Sequence, residues 1–106
     1  MITYIDNLFL TEKAEKKVDK IKKDIDEKRF ISLACLITLS NNETDVFEIL
    51  PVVNLKIKSS AYDNMTVIGI AENKKAAIRL CAHMSMVYLQ SKADVSMREY
   101  FKSYVR

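Results

Sequence analysis

The chain carries one glycine (Gly69), one proline (Pro51), one histidine (His83), two cysteines and no tryptophan among 106 residues. Each shortage closes off a class. A single glycine excludes a collagen-type repeat and a Gly-rich phosphate loop, which frees a run of backbone amides with several glycines. Cys35 and Cys81 lie 46 residues apart in apolar stretches, not in the dense, closely spaced pattern of a disulfide scaffold. Both read as reduced core residues of a cytoplasmic protein. One histidine, with no CxxC or HxxxH, leaves no zinc-type ligand set. The longest nearly uninterrupted apolar run, Phe30–Leu39, contains Ser32 and Thr38 and is short of the ~20 residues that span a bilayer. No secretory signal is expected, because no basic start leads into an apolar stretch and a small-residue cleavage site.

What remains is the composition of one soluble globular domain over residues 1–106, with 49% hydrophobic and 29% charged residues. The net charge of +3 is modest but unevenly placed. Residues 74–106 hold seven basic side chains against two acidic ones, so the C-terminal third is +5 and the rest slightly negative. That asymmetry points toward an anionic partner.

Thr11 offers a helix N-cap, since its hydroxyl can accept from an orphan amide of the first turn. From Glu12 to Arg29, Ala14, Val18, Ile21 and Ile25 recur at helical spacing, a narrow apolar stripe on an otherwise charged helix. Met1–Leu10 alternates loosely and reads as an edge strand or an ordered arm. Phe30–Leu39 reads as a central strand, with Ile31, Leu33, Cys35, Ile37 and Leu39 on one side and a smaller, mixed set on the other. Residues 40–45 form a turn and Val46–Leu50 a second strand that Pro51 ends, while residues 52–58 fit either an extension of the sheet or, preferred, a short helix begun by Pro51. After a loop over 59–64, Met65–Ala71 is a third strand, and Asn73 caps a helix striped by Ala77, Leu80, Cys81, Met84, Val87 and Tyr88. A last helix begins near Asp94 or Ser96. The expected fold is α+β, a two-layer sandwich. Its three-stranded mixed sheet has order 2-1-3, with the first and third strands parallel and the long helices on one face.

Three constellations bear on function. The strand-to-helix turn Ala71–Lys75 offers Asn73, Lys74 and Lys75 to an anion at a helix N-terminus. The same residues serve equally as a plain cap with solvated charge, and Gly69 as a point of close packing. The C-terminal segment sets Arg98, Lys102 and Arg106 among Tyr100, Phe101 and Tyr104. Basic and aromatic side chains together suit phosphates and stacked bases. The alternative is that the aromatics, spaced as a helical stripe, dock the last helix on the core. Cys81 and His83 stand about 200° apart around a helix, too divergent for a nucleophile–base pair.

The segment Val67–Leu80, with its Val-Ile-Gly-Ile-Ala strand and Lys-rich helix start, resembles one in a set of small uncharacterised bacterial proteins. The ending Asp94–Phe101 is similar to theirs. The resemblance implies a bacterial cytoplasmic setting and carries no activity or site residue with it. The reading is therefore a small cytoplasmic protein-interaction module, adaptor or regulator, that self-associates as a homodimer. It is read as non-enzymatic, without metal or cofactor and away from membranes. The alternatives are a nucleic-acid or anion binder using Arg98, Lys102, Arg106 and Tyr104, and a small-molecule site at the 71–75 turn.

Overall fold

The computed structural model describes residues 2–30, 32–39, 46–55 and 65–102. The elements run β1 (Thr3–Leu10), α1 (Glu12–Glu15), α2 (Val18–Asp26), β2 (Cys35–Leu39) and β3 (Phe47–Pro51). A 3-10 turn (Val52–Asn54), β4 (Thr66–Ala71), α3 (Lys74–Ser91) and α4 (Met97–Lys102) follow. The fold is α+β with a mixed sheet of order β1-β4-β2-β3 among the described residues. The sheet thus differs from the expected three-stranded one. β3, β2 and β4 lie side by side, but β4 runs antiparallel to β2, and β1 adds a fourth strand parallel to β4 at the edge.

The helices cover both faces of the sheet, where one covered face was expected. Cys35, Ile37, Ile68 and Ala71 pack with Ala76, Ala77, Leu80 and Met84 of α3 and Phe101 of α4. Leu36, Val67 and Ile70 pack with Ala14 of α1 and Ile21 and Ile25 of α2 on the opposite side. The cause is legible in β2 and β4. Cys35–Ile37 and Val67–Ala71 are buried without interruption, and a strand apolar on both sides needs cover on both. The expected strand over Phe30–Leu39 begins only at Cys35, which leaves Leu33 81% exposed ahead of the ladder.

Gly69 explains how β1 reaches the sheet. A Cβ there would lie 3.1 Å from the Phe9 carbonyl oxygen and 3.4 Å from Ile37 Cδ1. Five steps along β1, from Tyr4 to Phe9, face only two along β4, from Val67 to Gly69, so β1 bulges by three additional residues. On the other side β2 takes one step, Ile37 to Thr38, against the same two, which makes Ile68 the additional residue there. Bulges bend a strand and re-aim its side chains.

The expected single helix over Glu12–Arg29 is broken at Lys16 and Lys17, where Lys17 leaves helical geometry without a side-chain cap. Thr11 caps α1, its Oγ1 accepting from the Ala14 N–H at 3.3 Å. α2 ends in a Schellman motif. The Arg29 N–H donates to the Asp24 carbonyl at 2.7 Å and the Lys28 N–H to the Ile25 carbonyl at 3.0 Å, with Lys28 left-handed at φ 59°. At the other end of the chain Ser96 caps α4, and Phe101 is fully buried. Its ring meets Phe9, Phe47 and Tyr100 edge-on at centroid distances of 5.8, 5.2 and 5.1 Å. Each such pair adds about 0.5–1.5 kcal/mol beyond the area it buries.

Candidate functional site

The turn at the end of β4 holds the first set of expected residues. Asn73 Oδ1 accepts from the Ala76 N–H at 2.8 Å, so its side chain is occupied as a cap. Lys74 and Lys75 are exposed. Lys74 lies close enough to Cys35 to act on it: burial pushes the thiol up, and the Lys74 charge opposes part of that rise. None of the three residues lines either of the two clefts below.

Tyr104 and Arg106 lie outside the described residues. Lys102 places its amine 3.7 Å from the Glu99 carboxylate, and Arg98 is half-buried. Phe101 is in the core, and Tyr100 packs edge-on against it and against Tyr88. Tyr100 and Phe101 therefore dock α4 on the core. The remaining basic residues are spread along α3, with Lys74, Lys75 and Arg79 near one end and Lys92 just past the other, roughly 27 Å away.

Cys35 is buried, Cys81 half-buried, and both are free thiols pushed up by burial. His83 is exposed on α3. Among the described residues no three His, Cys, Asp or Glu side chains gather to hold a metal ion. Among them, too, no helix is long and apolar enough to cross a membrane.

The sequence reading overlooked the outer face of α3. The helix buries Ala77, Leu80 and Met84, yet Ile78, Met86 and Leu89 on its far side are 54, 52 and 63% exposed. With Ala82 they recur at steps of four, four and three, a second apolar stripe opposite the first. The signal was present, since α3 has no acidic residue and few polar ones, but it fits a helix whose stripe is broad as well as one with two. Beside Ile78 the surface opens into a shallow groove of about 380 Å³. Val46, Phe47 and Ile49 of the β3 edge, with Cys81, Ser85 and Met97, line it. The Tyr88 hydroxyl donates to the Val95 carbonyl at 2.5 Å and fixes the turn into α4 beside this face.

A second cleft, of about 360 Å³, lies on the opposite side of the sheet between α1–α2 and residues 32–34. Lys13, Lys17, Lys20 and Asp24 come from the α1–α2 wall, Glu72 from the end of β4, and Ala14, Ile21 and Ala34 are its buried apolar lining. Asp24 is engaged by the Arg29 guanidinium at 3.3 Å. Compared with protein-family models, curated proteins and solved structures, the chain has no match.

Proposed function

We propose that this protein is an interaction module that pairs with a second copy of itself through the outward face of α3. The observation that carries the reading is the stripe Ile78, Ala82, Met86 and Leu89, apolar and in water on an 18-residue helix. Contiguous exposed apolar surface of this kind marks an interaction site more often than a free face. The chemistry favours a copy of the same chain, packed antiparallel. α3 bears Lys74, Lys75 and Arg79 near its N-terminus and no acidic side chain, while Asp94 stands three residues past its C-terminal end. Antiparallel packing sets each basic, dipole-positive start against the carbonyl end of the other helix, where Asp94 offsets Lys92. Parallel packing would stack the cations on one another.

A two-fold axis near the middle of the stripe also makes it self-complementary. Ile78 of one copy then meets Leu89 of the other, and the groove beside Ile78 receives that leucine. Ala82 and Ser85 lie at the crossing, where small side chains let two helices approach closely. Sedimentation equilibrium over a range of concentrations tests the reading. A dimer that dissociates on dilution is expected, and a strict monomer at several hundred micromolar defeats it.

A further inference from the structure

β1 and β4 are adjacent and parallel, yet the helices that follow them leave in opposite directions. α1 packs on one face of the sheet and α3 on the other. Parallel strands whose outgoing helices diverge leave a crevice at their carboxyl ends, where ligands of open sheets bind. The lysine-walled cleft begins there. Glu72 is the first residue after β4, and Lys13 is the second residue of α1. Its volume of about 360 Å³ is that of a small-molecule site.

The lining sorts by chemistry. Lys13, Lys17 and Lys20 recur at four and three along the α1–α2 segment and form no ion pair with a described residue. Three ammonium-bearing side chains bordering one cleft suit a phosphate, which takes point charges from several directions. Asp24 is held by Arg29, which leaves Glu72 as the acceptor for a hydroxyl or amino group. Ala14, Ile21 and Ala34 give an apolar floor, and the exposed Leu33 extends it at the rim.

We propose that the cleft between α1–α2 and residues 32–34 binds a phosphate monoester of about mononucleotide size. The phosphate lies on Lys13, Lys17 and Lys20, a hydroxyl on Glu72, and a flat apolar body on the floor.

Calorimetric titration of the full chain at low salt tests this with three probes: AMP, ribose 5-phosphate and inorganic phosphate. AMP binds tightest, ribose 5-phosphate roughly ten-fold weaker, and inorganic phosphate weaker again. Lys17→Gln and Lys20→Gln each weaken AMP roughly ten-fold, as loss of one charge-assisted contact does. Both lysines are exposed, so the variants keep the parent's circular dichroism and melting temperature. Lys23→Gln, at an exposed lysine of α2 outside the cleft lining, leaves binding unchanged. Glu72→Gln weakens AMP and ribose 5-phosphate but not inorganic phosphate, and added salt weakens all three. Four results overturn the proposal: no heat from AMP at millimolar concentration; inorganic phosphate binding as tightly as AMP; ribose 5-phosphate doing so; or Lys17→Gln and Lys20→Gln binding like the parent.

Discussion

In the proposed dimer Leu89→Lys separates association from folding, because there the side chain contributes to one and not to the other. Leu89 keeps 63% of its surface in water in the single chain. Full burial of a leucine is worth about 1.5–3 kcal/mol, so covering what remains exposed brings about 1–2 kcal/mol. A two-fold interface contains the contact twice, which makes about 2–4 kcal/mol per dimer. Losing it raises the dimer dissociation constant roughly 30- to 700-fold. A lysine must also be desolvated, so the upper part of that range is expected. The monomer is spared, since a solvent-facing change away from the core moves stability by about 0.5 kcal/mol or less. Sedimentation equilibrium reads the association, and thermal melting at low micromolar concentration reads the fold. The parent should also melt higher as its concentration rises, and the variant should lose that dependence. Two results refute the reasoning: a Leu89→Lys protein that dimerises as tightly as the parent, or a parent whose melting ignores concentration.

Gly69→Ala pushes a methyl to 3.1 Å from the Phe9 carbonyl, which cannot yield without moving β1. A loss of about 1–3 kcal/mol is expected in chemical denaturation, with Leu8–Leu10 amides exchanging faster. The Tyr4 hydroxyl is buried without a hydrogen-bond partner among the described residues, and its pKa is raised to about 12, first by burial and then by the Asp26 charge. The folded state therefore holds this proton more tightly than the unfolded chain. Its contribution is intact below about pH 10 and is lost as pH rises to about 12. Tyr4→Phe should be neutral or stabilising at pH 7 and should fall less steeply in that alkaline window, as melts from pH 8 to 12 will show. Lys28 closes α2 at φ 59°, where a side chain costs about 1–2 kcal/mol. Lys28→Gly should raise the melting temperature by a few degrees, and a lower value counts against the Schellman assignment.

Local chemistry made several elements legible. Thr11 and Asn73 cap the helices expected of them, and the β2–β3 hairpin and β4 follow from β-rich runs bounded by turn residues and Pro51. The rest depended on tertiary contacts. In β1 the alternation fails because Asp6 and Asn7 fall in the bulge, and nothing local reports that Gly69 admits that backbone. The break at Lys16–Lys17 falls among good helix formers, and the structure shows no local cause for it. Leu33 continues the alternation of Cys35 and Ile37 yet sits outside the ladder, since periodicity does not mark where pairing begins. Of the candidate sites, the turn at Asn73 was legible as a cap. The lysine-walled cleft was not, because it joins α1–α2 to residues 32–34 and Glu72 across the fold.

The bulge in β1 bears on how readily a foreign strand can add to the sheet. Among the described residues β1 is an eight-residue edge strand rich in apolar side chains, the kind of border on which a stray strand can nucleate an aggregate. Its three additional residues interrupt the border at its middle, so an incoming strand cannot keep a continuous ladder along it. Deleting them to regularise β1 would straighten the border and trade a defined helical contact for open-ended stacking of sheets.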